Sequence, residues 1–326
     1  MDALELAARI DVVAAAGRLE GVVRRTRLLA FAVDDPRLEL RLKLECEQET
    51  SSFKVRGAWN QVSQLTAEER ARGVVATSSG NHGRAVAWAA RRAEVRARVY
   101  MADNAYPVKV DAIRAEGAEV VLCPSRREAE ERCAEAVAAG AVLIHPYDAL
   151  RTIEGAGTVG LEIAREWPAV DLVLVPCGGA GLLAGTALAL SRELGDEVAV
   201  VGVEPEGSPN LTAALEAGEP VVIDPIRTEV QGLCPLAVGA ANYALCTRFV
   251  EGTVTLSDAE IFAAQRVLVR AGLLVEPAGA AAFGAVLHGA WPTELFEDRG
   301  PEEGPLRVAC VVTGGNAEPA QLESLG

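Results

Sequence analysis

Lysine is nearly missing from this chain: its 326 residues hold three, Lys43, Lys54 and Lys109, among 31 lysines and arginines. A guanidinium stays protonated in proteins, whereas a desolvated primary amine can lose its proton and act as a base or condense with an aldehyde. The question is what Lys54, in the stretch SSFKVRGA, does that an arginine would not. Cations as a class are also short, with a formal net charge of −15. That deficit argues against a nucleic-acid or anionic-membrane surface, because both need clustered positive charge. No stretch approaches the ~20 apolar residues of a membrane span. The N-terminus, MDALELAARIDVVAAAG, carries acids where a signal peptide carries cations. The seven cysteines are odd in number, scattered and never in CxxC spacing, so neither a disulfide framework nor a zinc site is expected. A reduced, cytoplasmic compartment is the expectation.

The length suits roughly two domains with a large core. Short β-branched runs at 74–79, 96–101, 118–124 and 142–147, then at 172–178, 198–205, 253–256 and 307–315, read as buried strands separated by helical periodicity. Thr66 with Glu69, Ser125 with Glu128 and Ser257 with Glu260 have capping-box spacing and fix three helix starts. Alternating strands and helices of this kind make an α/β fold with parallel sheets covered on both faces.

Three strand ends carry unusual loops, and ligands bind beyond the carboxyl ends of strands in open α/β sheets. TSSGNHG (77–83) offers hydroxyls and backbone amides at a helix start, which suits a carboxylate. VPCGGAGLLAG (175–185) is a strand, a glycine-rich turn and a helix; such a turn either cradles a phosphate or merely permits a tight bend. VVTGGN (311–316) ends a strand with the neutral hydroxyl of Thr313. An amine, a phosphate cradle, a carboxylate cradle and a neutral hydroxyl are the parts needed to hold pyridoxal phosphate beside an amino acid.

SSFKVRGA, SSGNHG, CGGAG, VEPAGA and TGGN, in this order over nearly the whole chain, resemble the fold-type II pyridoxal-phosphate enzymes, in particular the branch of serine/threonine dehydratases and serine racemases. Cysteine and threonine synthases of the same fold typically follow the lysine with aspartate; here Val55 follows Lys54, which favours the dehydratase branch. The resemblance implies a tryptophan synthase β-like fold of two doubly wound parallel-sheet domains with pyridoxal 5'-phosphate in the cleft. The large domain would span 1–63 and 148–326 and the small one 64–147. Lys54 would carry the cofactor as a Schiff base and then serve as base at Cα, with Ser79 on the opposite side of the substrate. Phe53, Asn81, Gly178, Gly179, Ala180, Gly181, Leu182, Glu276 and Thr313 would contact the cofactor. Ser78, Ser79, Gly80, Asn81 and His82 would hold the substrate carboxylate.

Ala180 departs from the family's glycine, a departure that costs on the order of 1 kcal/mol if its φ is positive. Glu276, just before Pro277, reads equally well as a helix-start acid. His82 reads as structural rather than as a general base, His145 and His288 show no constellation, and Lys43 and Lys109 read as surface cations. Racemase-like members bind Mg or Ca, which would fall here on Glu204, Ser208 and Asn210, weakened by the neutral amide of Asn210. The implied activity is α,β-elimination of a β-hydroxy L-amino acid, such as threonine or serine, to a 2-oxo acid and ammonia, in a homodimer. Serine racemase and 3-hydroxyaspartate dehydratase are the alternatives, with a β-replacement enzyme or a non-catalytic binding protein behind them.

Overall fold

The computed structural model describes residues 2–78, 80–293, 303–318 and 321–322. Among these, ten strands form two sheets: β1 (Leu28–Phe31), β2 (Leu38–Lys43), β3 (Val74–Thr77), β4 (Ala97–Ala102), β5 (Glu119–Cys123), β6 (Val142–Leu143), β7 (Leu172–Pro176), β8 (Ala199–Pro205), β9 (Gly252–Leu256) and β10 (Leu306–Val311). One sheet has the order β1-β2-β10-β7-β8-β9 and the other β5-β4-β3-β6. All pairings are parallel except β1 with β2. The β1 and β2 strands escaped the sequence reading because LLAF is a four-residue edge strand and LELRLK alternates charge with leucine.

The run LVLVP of β7 is continuously apolar because the sheet is covered on both sides. Val173 and Val175 face helices Leu150–Glu166 and Gly181–Leu194, while Leu172 and Leu174 face helices Asp258–Arg270 and Pro277–Leu287. The first two of those helices touch backbone to backbone. A Cβ on Gly160 would lie 2.5 Å from Thr186 O, and one on Gly185 2.5 Å from Ile153 O. Helix Gly181–Leu194 is thereby fixed in depth, and with it the glycine turn that opens it.

The expected caps form, with reciprocal capping boxes at Thr66 and Ser257 and a one-way cap at Ser125. The run 142–147 is a correction: only Val142–Leu143 is strand. Beyond it the backbone is claimed by histidines, since His82 Nε2 lies 2.8 Å from Ile144 O, and His145 Nδ1 accepts from the amides of Tyr147 (3.3 Å) and Asp148 (2.8 Å). His145 therefore shapes a turn that no local pattern announces.

Lys43 is not a surface cation, while Lys109 is partly exposed but engaged. Lys43 is fully buried, pairs with Glu162 at 2.7 Å and donates to Thr26 O at 2.8 Å. Lys109 donates to Gln231 Oε1 at 2.6 Å and pairs with Glu318 at 3.4 Å, bridging from helix Pro107–Ala115 beside the four-stranded sheet to segments beside the six-stranded one.

Candidate active site

The site is assembled where loops leaving β3, β7 and β10 converge on the start of helix Lys54–Val62. Phe53 N–H donates to Thr313 O at 3.1 Å, and Ser52 forms an isolated bridge with Gly314, so the SFK and TGG stretches are zipped together. The side chain of Lys54 then projects from the first helical turn. Its Nζ donates to Pro146 O at 2.8 Å and lies 4.9 Å from the centroid of the Phe53 ring. No carboxylate among the described residues pairs with it. Burial without a counter-charge pushes this amine down to about 8.

Facing it is the turn after β7. Gly178, Gly179 and Ala180 lead into helix Gly181–Leu194, whose first intrahelical bond runs from Ala184 N–H to Ala180 O at 2.8 Å. The amides of Gly181 and Leu182 precede that bond, as suits an anion at a helix N-terminus. The glycines are there for close approach: the ring of Tyr147 occupies the place of a side chain at Gly179, and a Cβ on Gly181 would lie 2.5 Å from Tyr147 O. Asn242, buried, pins both partners by donating to Gly179 O (2.7 Å) and Tyr147 O (3.1 Å). Asp148 accepts from the amides of Ala240 and Ala241, each at 3.1 Å, capping the helix that carries Asn242. Tyr147 and Asn242 were invisible in the sequence because they belong to no local motif.

Ala180 adopts φ 64°, the left-handed region. Relief of ~1–2 kcal/mol of strain by Ala180→Gly is partly offset by ~0.4–1 kcal/mol of extra freedom in the unfolded chain. The variant is expected to be up to about 1 kcal/mol more stable, read from denaturant midpoints. A clear loss of stability would show that the methyl packs usefully in the loop.

The third wall is the start of helix Asn81–Arg92. Ser78 Oγ accepts from Gly80 N–H at 3.2 Å, leaving the loop tightly folded. Ser79 lies outside the described residues. His82 is buried, held by the Ile144 carbonyl, and pushed down to about 3 chiefly by burial, so it is a neutral structural donor. Asn81 Nδ2 donates to Glu276 Oε1 at 2.5 Å, while Asn81 Oδ1 accepts from Asn316 Nδ2 at 2.7 Å. Asn316 also donates to Thr50 O (2.8 Å) and accepts from Arg84 (3.0 Å). Glu276 is the N-cap residue of helix Pro277–Leu287 by position, but its carboxyl makes no cap bond and turns to Asn81 instead. Burial raises it to about 7 despite that hydrogen bond. Thr313, buried, places Oγ1 3.3 Å from Ala278 O.

Glu204, Ser208 and Asn210 lie together behind this cleft but not as cation ligands. The Glu204 carboxylate accepts from Leu211 N (2.7 Å), Thr212 N (2.9 Å) and Thr212 Oγ1 (2.7 Å) at the start of helix Asn210–Ala217. Asn210 offers protons rather than oxygens to its neighbours. No cluster of three or more His, Cys, Asp or Glu side chains able to hold a metal occurs among the described residues. The one acid of the expected cation site, Glu204, is engaged here at a helix start.

Comparison with known proteins agrees with this geometry. A family model described as pyridoxal-phosphate dependent enzyme matches residues 19–314. The chain is 34% identical over 322 residues to an L-threonine ammonia-lyase of Thermotoga maritima, covering 97% of this chain and 77% of that one. It is 34% identical over 327 residues to an L-threo-3-hydroxyaspartate ammonia-lyase of a Pseudomonas species, covering 99% of each. Among solved structures, maize serine racemase superposes with a TM-score of 0.88 at 29% identity, covering 96% of this chain and 94% of that one.

Proposed function

The chain belongs to the pyridoxal-phosphate dependent enzyme family, and from that premise we propose that it is an ammonia-lyase, eliminating water from a β-hydroxy L-amino acid to give a 2-oxo acid and ammonia. The observation that carries this reading is Lys54: a half-buried, desolvated amine with no counter-carboxylate among the described residues, held by Pro146 O beside the Tyr147 that packs on the glycine turn, and close to His82 of the helix start at Asn81. The residues fit the cofactor. The amides of Gly181 and Leu182 open a helix ahead of its first intrahelical bond, and the amine of Lys54, able to lose its proton, is held by Pro146 O beside the Tyr147 that packs on this turn.

Gly178, Gly179, Ala180, Gly181 and Leu182 would hold the phosphate, Phe53 would lie against the ring, and Thr313 would face the ring nitrogen with a neutral hydroxyl. When bound, the cofactor supplies the electron sink for a carbanion at Cα. Lys54 takes the Cα proton, and depression of its pKa by burial makes the free base accessible near neutral pH. Ser78, Ser79, Gly80, Asn81 and His82 form the carboxylate-binding loop, in which Asn81 is oriented by Glu276 and Asn316 and His82 by Ile144 O. We take residues 64–147 as the small domain that carries this loop, and the remainder as the large domain. Incubation of the purified protein with L-threonine, L-serine, L-threo-phenylserine and L-threo-3-hydroxyaspartate, with 2-oxo acid and ammonia quantified, tests the proposal. Release of the opposite enantiomer with no oxo acid would favour a racemase.

The amine's pKa carries a pH expectation. Only neutral Lys54 condenses with an aldehyde, so cofactor uptake by the apoprotein should quicken as pH rises and level off above about 8. Stopped-flow absorbance on mixing with pyridoxal phosphate measures this. A rate still climbing as steeply above pH 9 as below it would mean that the lysine titrates like a solvated amine, near ~10.4.

A further inference from the structure

We infer that the carboxamide of Asn210 stands in for a cation, so that the segment backing the phosphate cradle is held together without any divalent metal. Asn210 is fully buried. Its Nδ2 donates to Ser208 Oγ at 2.8 Å and to Pro235 O at 3.0 Å, with Ser208 O at 3.3 Å. Three oxygens from two separate stretches of chain thus converge on one –NH2 group with two protons to give, while the Oδ1 of the same amide is buried and takes no hydrogen bond. Convergent oxygens of this kind are what a hard cation such as Mg or Ca would otherwise neutralise. The nearby acid is not waiting for one, because both oxygens of Glu204 are occupied by the amides of Leu211 and Thr212 and the Thr212 hydroxyl.

The position matters for the cleft. Pro235 and Leu233 form the wall against Gly178, where a Cβ would lie 3.4 Å from Leu233 Cα and from Pro235 Cδ. Asn210 therefore ties the wall behind the phosphate loop to the start of helix Asn210–Ala217, a task that needs a positive group but not a metal ion. Exchanging the –NH2 for an oxygen in Asn210→Asp would place a carboxylate among those three oxygens. The carbonyls of Ser208 and Pro235 would repel it, and the Ser208 hydroxyl alone could donate to it, unless a cation or a proton enters.

The holoenzyme and two variants test this, read by melting temperature and by cofactor retained after dialysis, neither of which depends on the substrate turned over. Wild type is expected to give the same melting temperature and cofactor content in millimolar EDTA, MgCl2 or CaCl2, and to carry no stoichiometric divalent metal by elemental analysis. Asn210→Asp should melt several degrees lower in EDTA and recover in Mg or Ca. Asn210→Ala should melt lower in every buffer, with no recovery. Stoichiometric metal in the wild type, or a fall in its melting temperature in EDTA, would overturn the inference. So would an Asn210→Asp protein that no cation restores, including one that stays insoluble with and without Mg. An Asn210→Ala protein as stable as wild type would show that the amide is not the tie.

Discussion

Lys54→Ala is expected to fold normally and to lose on the order of 10³-fold or more in kcat/KM, because the group that both anchors the cofactor and moves the Cα proton is gone. The loss should fall mainly on kcat. Borohydride reduction of the wild-type holoenzyme followed by peptide mapping should place the pyridoxyl group on Lys54, and the variant should carry none. Lys43 and Lys109 are the rival amines, but each is engaged by a carboxylate, Glu162 at 2.7 Å and Glu318 at 3.4 Å. Lys54 meets only a carbonyl and the Phe53 ring among the described residues. Label on either rival would remove the foundation of the functional reading.

The second large effect lies two residues further on. Arg56 is 1% exposed and forks onto two carboxylates: Nε and Nη2 reach Glu45 at 2.8 Å, while Nη1 and Nη2 reach Glu162 at 2.7 and 2.9 Å. Glu162 also holds Lys43, which lies 3.8 Å from Glu166 as well, so two cations and three carboxylates share one cluster. Arg56→Met leaves Glu45, itself fully buried, without its counter-charge and should cost ~3–5 kcal/mol, lowering the melting temperature by on the order of 10 °C. Adding Glu45→Gln should recover part of that loss, as expected of a shared network. If the single change cost less than ~1 kcal/mol, water would have to be reaching the cluster. Burial alone would raise Glu45, but Arg56 outweighs it and the carboxyl sits below its ordinary value. The stabilisation is thus complete above the usual carboxylate range and is lost as pH falls through the lower, folded value.

What could be read from the chain followed from local chemistry. Lys54 was marked by its scarcity, the glycine turn by its composition, and the helix starts at Thr66, Ser125 and Ser257 by spacing that acts within one turn. What could not be read depends on residues distant in sequence. Asn316 is 235 positions from Asn81, and Asn242 meets Tyr147 across 95, so no window contains both partners. Lys43 looked exposed because a lysine in LELRLK is ordinarily solvated; only the fold brings Glu162 and the Thr26 carbonyl to it. The use of Glu204 was unreadable for a related reason. Glu204 is an acid after a strand in either case, and what decides its use is the helix that begins beside it.

The turn at Pro146–Asp148 is where the chain returns from the four-stranded sheet to the six-stranded one, and it also touches the Lys54 amine, Gly179, Gly181 and the helix carrying Asn242. For protein engineering, this makes it a poor seam. A chimera that exchanges the segment running from β3 to β6 with that of another chain would inherit a foreign junction at the point where the reactive amine is hydrogen-bonded. Such grafts should keep residues 145–148 with the recipient. Nicking or permuting the chain there should release the cofactor and uncouple the two sheets in a single event.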